Sequence, residues 1–372
     1  MRLNSTLAAG LLAAALATPA AAQAPADTAV KITVGGFVDG YYAWDTGRPA
    51  SMDRSFAGGA LFTTQPARHN EFNINLAFIE LKADGARVRG RLALQAGTSV
   101  QSNYSGEPAN GQVSGPSLSR LIQEAVAGAK ISDNLWVDGG IFFSHMGMES
   151  WISRDNPTYT RSLVAEYSPY YQSGVKFTWT PSGKVTAQLD VVNGWQNISE
   201  NNTGKGVGAR VDWAPVEGTT LSYYNFFSDE AGSQLRTFNG VGAKVVRGAW
   251  TLLGQADAGQ QAHATTSSSS WYGLMALARY QVSPTVAVNG RVERFVDDDQ
   301  VVMGTGSVGA TANPAFHGNG ASFGIDVAPS SRVLWRTELR GFGNRDAVFP
   351  DGTSTRARST DGFLVSSLAV TF

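Results

Sequence analysis

Short segments in which apolar and polar residues alternate recur along this chain from residue 29 to its end. A period of two places the apolar side chains of a segment on one face of a β-strand. After the first two dozen residues, no run of about 18 consecutive apolar residues occurs that could form a membrane-spanning helix. The chain is therefore predicted to be all-β.

The first predicted strand, 30–44, shows the pattern. One face carries Val30, Ile32, Val34, Val38, Tyr42 and Trp44, and the other carries Lys31, Thr33, Asp39 and Tyr41. Farther along, we expect a shared apolar face formed by Phe72, Ile74, Leu76 and Phe78. A strand of this length suits a tilted crossing of a bilayer.

Short turns alternate with long polar loops along the chain. Turns are predicted at sites such as 181–183 and 329–331, and loops at about 45–70, 102–120, 144–172, 195–205, 229–234, 260–270, 297–319 and 343–361. This asymmetry is typical of a transmembrane antiparallel up-and-down β-barrel with short periplasmic turns and long outer loops. We expect about 16 strands, within a range of 14–18, the segments at 121–131 and 219–228 having the weakest pattern.

The N-terminus has the features of a secretory signal. Arg2 provides a positive charge, residues 7–16 form an apolar core, and small residues follow. We predict a signal peptide at 1–22, with cleavage after Ala22 or Ala24, and a single outer-membrane barrel domain over 23–372. The chain should thus be exported through the inner membrane.

Composition agrees with this class and excludes others. The chain has 42 glycines, 10% aromatic residues and only 16% charged residues, and it has no cysteine, which excludes disulfides and thiolate metal sites. Its net charge of −1 includes no long basic block, so nucleic acid is not an expected partner. A secreted sandwich or solenoid is the competing all-β fold.

The C-terminal residue carries a separate signal. Leu364, Leu368, Val370 and Phe372 lie on one alternating face. A terminal Phe after such a strand resembles the signature that the outer-membrane assembly machinery recognises. We therefore expect Phe372 to act as an assembly signal and the assembly machinery to be a partner.

Several stretches resemble one family. They are FNINLAFIELK (72–82), VRGRLALQAGTSVQSNYSGEP (88–108), LWVDGGIFFSHMGMESWISRDNPTYTRSLVAEYSPYYQSGVKFTW (135–179) and NGW (193–195). They are similar to the OmpL-like β-barrel porins of Gram-negative bacteria, most strongly over about 34–195. The resemblance implies an outer-membrane porin and carries no catalytic residue.

Charged residues on the polar faces of the strands are the candidate pore lining. Two ladders stand out, Arg87–Arg89–Arg91 and Arg332–Arg336–Arg340, because arginines facing lipid near the midplane would cost several kcal/mol each. Both ladders should meet water, either as a basic wall or as a network paired with acidic residues. The other candidates are Lys176, Arg210, Arg279, Arg291, Asp39, Asp138, Asp190 and Glu338. Basic residues outnumber acidic ones in this set, which predicts a weak anion preference.

The loop at 144–172 follows the fifth predicted strand and is the third outer loop. In general porins this loop folds into the lumen and narrows it. The candidate constriction residues are Glu149, Trp151, Asp155, Tyr159, Glu166 and Tyr170. An exposed lid or a contact with a neighbouring subunit is the alternative.

Catalytic and metal signals are weak. All four histidines fall in predicted loops without metal spacing, and Ser144, His145 and Glu149 are too close in sequence for a typical triad. The GxGxxG at 304–309 lacks a βαβ context, and Asp297–Asp299 could hold a cation or be a solvated loop. We expect no cofactor, no metal and no enzymatic activity.

The sequence supports a passive, water-filled pore for small hydrophilic solutes. The alternatives are a solute-specific, sugar-type channel, for which strand-end aromatics would form a stacking track, and a non-pore binding or adhesion barrel. The strand-end aromatics are Trp44, Phe143, Trp179, Trp213, Trp250, Tyr272, Tyr280 and Trp335, and they suit interfacial girdles equally well. Expected partners are membrane lipid, lipopolysaccharide and small solutes, with a homotrimer by analogy with porins.

Overall fold

The computed structural model describes residues 29–309, 314–352 and 356–372. The predicted signal peptide and its cleavage positions lie outside these residues. Among the residues described, no helix is long and apolar enough to cross a membrane.

Sixteen antiparallel strands form a closed barrel, so the predicted fold class and strand number are confirmed. The strands are β1 (Lys31–Asp45), β2 (Phe72–Asp84), β3 (Val88–Ala96), β4 (Ile122–Ser132), β5 (Leu135–Phe143), β6 (Tyr171–Ser182), β7 (Val185–Val192), β8 (Gly206–Trp213), β9 (Thr219–Asp229), β10 (Leu235–Arg247), β11 (Trp250–Gln261), β12 (Ser269–Ser283), β13 (Val286–Asp297), β14 (Phe316–Ser330), β15 (Val333–Asn344) and β18 (Thr360–Thr371). Each strand pairs with its neighbours in sequence, and β1 pairs with β18 to close the barrel. Closure leaves no strand edge unpaired, as a bilayer requires. The two weakest predicted strands, at 121–131 and 219–228, are β4 and β9.

The connections differ sharply at the two ends of the barrel. At one end, called here the short-turn end, neighbouring strands are joined by turns such as 183–184 and 248–249. At the other, called the loop end, the connections include 46–71, 97–121, 144–170 and 298–315. The predicted alternation of short and long connections is therefore correct.

The outward face of the barrel is apolar. Leu81, Leu92, Leu274 and Leu339 all point outward and are between 44% and 59% exposed. Seven of the eight strand-end aromatics are exposed on this face, among them Trp213, Trp250 and Trp335. Their placement suits membrane-interface girdles and excludes these seven rings from a track inside the lumen. Phe143 is part-buried, with its ring 5.6 Å from the guanidinium of the inward Arg91.

One expected face is wrong because of a β-bulge. The pairing of β1 with β2 shifts between Asp39 and Gly40, so that Asn75 is an extra residue. Phe72 and Ile74 stay on the outward face, but Leu76 and Phe78 turn inward, where Phe78 stacks on Phe37 at 5.5 Å between ring centroids. A strict alternation cannot anticipate a one-residue insertion, which reverses every later side chain.

Short elements occur within the loops. Helices α1 (Thr98–Asn103) and α2 (Pro116–Ser119) lie between β3 and β4, α3 (Leu163–Glu166) precedes β6, and β16 (Phe349–Pro350) pairs with β17 (Ala357–Arg358). At the loop end, side chains from two loops and adjacent strands form an aromatic cluster of Phe56, Phe62, Phe316, Phe342, Phe349 and Phe363. This cluster fills the loop end beside β13, β14, β15, β18 and β1.

Candidate pore and its inner segment

Residues 144–170, between β5 and β6, fold back inside the barrel and are called here the inner segment. On one side of the barrel, Arg210 Nη1 of β8 donates to the carbonyl oxygens of His145 at 2.9 Å and Gly147 at 2.7 Å. On β11, Gln255 Oε1 accepts a hydrogen bond from Met148 N at 2.9 Å. The first part of the inner segment is thus attached to the wall of the barrel.

The middle of the inner segment is bound by β15. The guanidinium of Arg336 donates to the carbonyl oxygens of Ser153 at 2.7 Å, Asn156 at 2.8 Å and Thr158 at 3.1 Å. Glu338 accepts from Thr160 N at 2.8 Å and from Thr160 Oγ1 at 2.7 Å. Because loop backbone inside a barrel must find hydrogen-bond partners, these side chains satisfy groups that water would otherwise hydrate.

A buried charge cluster completes this attachment. Arg340 Nη2 of β15 lies 2.7 Å from Glu293 Oε1 of β13, and Leu163 N donates to the other oxygen of Glu293 at 2.6 Å. Arg291 lies 3.8 Å from Glu149 of the inner segment. Burial raises the pKa of Glu149, and this effect outweighs the attraction of Arg291 and the hydrogen bonds from Ser162.

The inner segment reaches nearly the whole depth of the barrel. Ser153 Oγ donates to Asp39 Oδ2 of β1 at 2.8 Å. Arg154 donates to Thr371 Oγ1, near the C-terminus, and to the carbonyl oxygen of Ser331 in the turn between β14 and β15. Both groups lie at the short-turn end, whereas the inner segment begins and ends at the loop end.

Glycines on the inward face provide room for the inner segment. A side chain on Gly208 would meet the ring of His145 at 2.2 Å, and one on Gly273 would meet Val164 Cγ1 at 2.3 Å. A β-carbon on Gly242 would likewise lie only 2.4 Å from Cγ of Met148. The barrel wall is therefore shaped to fit this segment.

The wall is covered by protein all around the barrel at this level. Inward residues from ten strands are each no more than 5% exposed: Asp39, Leu76, Phe142, Asp190, Tyr224, Asp257, Met275, Arg291, Glu338 and Val365. A lumen filled with bulk water would leave such side chains hydrated. In this conformation the inner segment and its neighbouring loops occupy the space beside them.

The short-turn end is more open and strongly charged. Arg89 pairs with Asp138, and Arg91 lies 2.7 Å from Glu80 and also pairs with Glu124. These arginines are part-exposed on the inward face. They lie in paired networks, which was one of the two alternatives for the first ladder.

Three inward lysines at the same end have no such partner. In the described part of the chain, no carboxylate lies within 4.0 Å of Lys130, Lys176 or Lys244. Lys244 is exposed, and Lys176 lies 4.5 Å from the ring of Phe142. The positive charges of these lysines are therefore not cancelled by a carboxylate at salt-bridge distance within the described residues.

The structure separates the members of the two predicted arginine ladders. Arg87 and Arg332 are exposed in short turns and are not on the strands of the wall. Arg336 and Arg340 are 3% and 1% exposed, so they contact the inner segment and do not meet water as expected. Arg210 and Arg279 are part-exposed beside Asp212 and Asp326, at 2.8 Å and 3.3 Å. The role of the whole set as pore lining stays a prediction.

The candidate constriction residues are distributed along the inner segment. Trp151 Nε1 donates to Gln95 Oε1 of β3 at 3.1 Å, and Tyr170 lies 5.1 Å from the Trp151 ring. Glu166 accepts from Thr64 N at 3.0 Å, which links the inner segment to the loop 46–71. Tyr159 is buried, whereas Asp155 is exposed.

The weak catalytic and cation signals have structural explanations. His145 lies 2.8 Å from Asp190 and 2.8 Å from the carbonyl oxygen of Asn225, whereas Ser144 Oγ accepts from Met146 N. Asp297 accepts from three backbone amides, those of residues 301, 302 and 303, at 2.8–2.9 Å. No group of three or more His, Cys, Asp or Glu side chains suited to a metal occurs within 29–309, 314–352 and 356–372.

Sequence reasoning missed the residues that receive these anchors. Thr160 and Arg161 were not among the candidates, although Thr160 alone bonds to three charged side chains of the wall. Two signals were present in the sequence. Glycines alternate on the inward faces of β8, β10 and β14, and acidic and basic residues alternate along β13 and β15.

A closed barrel with an apolar outer face and a polar, charged inner face defines a porin-type outer-membrane barrel. Solved structures share this fold. An anion-selective porin from Comamonas acidovorans matches over 92% of this chain and 100% of its own, with a TM-score of 0.59 and 12% identity. The channel DcaP of Acinetobacter baumannii matches over 92% and 98%, with a TM-score of 0.57 and 12% identity. OmpF of Salmonella typhi, solved with daunomycin, matches over 92% and 98%, with a TM-score of 0.57 and 14% identity.

The chain belongs to the family described as putative beta-barrel porin-2, OmpL-like, whose model matches residues 31–372. The resemblance noted from the sequence is thus confirmed. No curated protein matches the chain.

Proposed function

We propose that this protein is a passive diffusion channel of the outer membrane for small hydrophilic solutes. The observation that carries the proposal is the inner segment, which is hydrogen-bonded to opposite walls of a closed sixteen-stranded barrel. A segment held across a lumen determines what can pass through it. Its polar, charged contacts with the wall suit a path for hydrated solutes.

A non-enzymatic role accords with the site. The buried histidine, His145, has its ring nitrogens engaged by Asp190 and the carbonyl oxygen of Asn225. The buried acidic residues Glu149, Glu293 and Glu338 hold backbone amides or arginines. Their present contacts serve to attach the inner segment.

The membrane setting follows the same proposal. We place the short-turn end in the periplasm and the loop end outside, with residues 1–22 removed after export and Phe372 read by the assembly machinery. Lipid and lipopolysaccharide would surround the apolar outer face. A homotrimer accords with the trimer form in which OmpT of Vibrio cholerae, a structural neighbour, was solved.

A weak anion preference is part of the proposal. The support is the set of inward lysines without close carboxylates, Lys130, Lys176 and Lys244, at the short-turn end. Most of the arginines nearby are neutralised by Asp or Glu partners. The net bias should be modest and should fade as salt shortens the screening length.

A solute-specific channel is the second candidate. It is favoured by the covered wall, since inward residues from ten strands are no more than 5% exposed. Such a lumen leaves a narrow path that selects its solutes by contact. A wide general pore would leave more of its wall hydrated.

Single-channel recording tests the proposal. The mature chain, 23–372, is refolded, checked for heat-modifiable migration, and added to a planar bilayer. We expect reproducible conductance steps, with neutral solutes passing in order of size for a general pore and out of that order for a specific one. Folded protein that gives no steps, even when the inner segment is shortened to a flexible linker, would identify a non-pore barrel.

A further inference from the structure

A cavity of about 350 Å³ lies at the loop end, above the inner segment. Loops 46–71, 97–121, 193–205 and 298–315 contribute to it, together with the end of the inner segment and Arg236 of β10. At about 30 Å³ per water molecule this volume corresponds to roughly a dozen waters, which is enough for a small organic molecule of about that many non-hydrogen atoms. The cavity is separate from the charged short-turn end.

Arg236 brings an unpaired cation to this cavity. Its guanidinium carbon lies 5.3 Å from the centre of the Trp195 ring and 5.7 Å from that of Trp271. Nε donates to Gln261 Oε1 at 2.9 Å, but within the described ranges Nη1 and Nη2 have no hydrogen-bond acceptor and no carboxylate within 4.0 Å. The residue is only 8% exposed. Glu230 and Asp297 attract this charge from beyond 4.0 Å, so among the described residues no anion contacts the guanidinium directly. A charge this deeply buried is stabilised by an anion that does contact it.

Two further donors in the cavity lack acceptors. Asn103 Nδ2 and Ser102 Oγ are buried without a hydrogen-bond partner, and Ser102 is 9% exposed. The one acidic residue of the lining, Glu166, already accepts from Thr64 N and Thr64 Oγ1. Among the described residues that line the cavity, Arg236 therefore supplies a cation that no anion faces, and two buried donors beside it have no acceptor.

We propose that this cavity binds a small organic carboxylate before it passes into the channel. The carboxylate would lie against the Nη1 and Nη2 groups of Arg236, since a guanidinium binds carboxylate through two parallel hydrogen bonds. The remainder of the molecule would contact Trp195 and Tyr167, which line the same cavity. This inference gives a substrate class to the proposed channel and so rests on the proposed function.

The test compares gluconate with sorbitol, which has a hydroxymethyl group in place of the carboxylate. Calorimetric titration of the folded chain in detergent should show saturable binding of gluconate and none of sorbitol. R236Q should weaken gluconate binding by about tenfold or more, because it removes a charge-assisted pair. R247Q, a charge loss at the exposed short-turn end of the same strand, should leave binding unchanged.

A second variant keeps the proposal testable if R236Q fails to fold. N103D keeps the oxygen that accepts from Gln196 Nε2 and puts a negative charge in the cavity, so it should also weaken gluconate binding. Equal binding of sorbitol and gluconate, or gluconate binding unchanged in both variants, would overturn the proposal. Tighter binding of inorganic phosphate than of gluconate would overturn the carboxylate assignment.

Because the binding assay does not measure ion current, it tests the carboxylate site independently of the proposed channel function. Gluconate binding by a protein that gives no conductance steps would refute the channel and keep the site. Conductance steps from a protein that does not bind gluconate would refute the site and keep the channel.

Discussion

Phe372 and Gly36 exchange two backbone hydrogen bonds at the seam of the barrel, where β18 pairs with β1. Gly36 N donates to Phe372 O at 3.0 Å, and Phe372 N donates to Gly36 O at 3.0 Å. The Phe372 ring also lies over Gly36, so that a β-carbon there would come within 2.3 Å of it. The last residue of the chain thus pairs with the first strand through both backbone and side chain.

Replacing Gly36 with alanine should therefore weaken closure of the barrel. The added methyl group must push the Phe372 ring aside, and overpacking of this kind costs about 1–3 kcal/mol. G40A is the matched control, because Gly40 lies on the same face of β1 with its nearest neighbour 3.8 Å away. The folded fraction in a heat-modifiability gel, measured across urea concentrations, should fall for G36A alone. Equal midpoints for the two variants would contradict the prediction.

Deleting Phe372 should impair insertion while leaving export intact. The deletion removes the last backbone pair of the seam, between Phe372 and Gly36, and the proposed assembly signal. Fractionation of cells should then show the chain processed in the periplasm but depleted from the outer membrane. Normal outer-membrane levels would count against this role of Phe372.

Replacing Gly273 with valine should release the inner segment. The new side chain would occupy the space of Val164, and the overpacking should disfavour docking of the segment by about 1–3 kcal/mol. We expect larger or more frequent conductance steps in planar bilayers. G254V is the control, since Gly254 faces outward and its nearest atom is 3.9 Å from a built β-carbon. Unchanged steps in G273V would mean that the inner segment does not limit the current.

Removing two unpaired lysines should shift ion selectivity toward cations. Lys176 and Lys244 have no carboxylate within 4.0 Å in the part of the chain described, so K176Q/K244Q removes positive charge from the wall. The zero-current potential in a KCl gradient should move accordingly, and the shift should shrink toward 1 M salt, where the screening length is about 3 Å. R89Q/D138N, which removes a pair of opposite charges, is the control. A shift in the control of equal size would show that the network, not net charge, sets selectivity.

Acid pH should favour docking of the inner segment. Burial raises the pKa of Glu149 above its ordinary value of 4.5, so the docked segment binds this proton more tightly than a released, hydrated one. The stabilisation is therefore fully present below 4.5 and is lost as pH rises through the raised value. Conductance should therefore be lower below pH 4.5 than at a pH above the raised pKa of Glu149.

E149Q isolates this effect. The amide cannot ionise, so the variant should stay docked at neutral pH and lose most of the pH dependence of conductance. E217Q, in an exposed turn, should behave as the unchanged protein. Equal pH dependence in E149Q would assign the titration to other carboxyl groups.

The sequence predicted the wall of the barrel well and its interior less well. Alternation identifies outward residues such as Leu92 and Trp335 because lipid accepts only apolar side chains along the whole strand. It failed at Leu76 and Phe78, where a bulge changes the register without a composition signal.

The interior depends on contacts distant in sequence. The arginines of β15 were correctly placed on the inward face, but Arg336 and Arg340 are covered by residues about 180 positions away. No local pattern of residues in the sequence indicates which loop fills a given part of the lumen. The position of the loop at 144–172 among the outer loops predicted that it folds into the lumen, whereas its anchor Thr160 was not predicted. Its role as a constriction stays a prediction.

The reach of Arg154 to Thr371 has a consequence for the order of assembly. Thr371 belongs to β18, the strand made last by the ribosome, and it stands beside Phe37 of β1 only after the cylinder has closed. Ser153, next to Arg154, donates to Asp39 of β1, so the tip of the inner segment contacts both strands of the seam. The two contacts form together only when the barrel is closed. Attachment of the tip is thus completed only with closure, and a chain that stalls before closure keeps this tip bound to one strand of the seam at most.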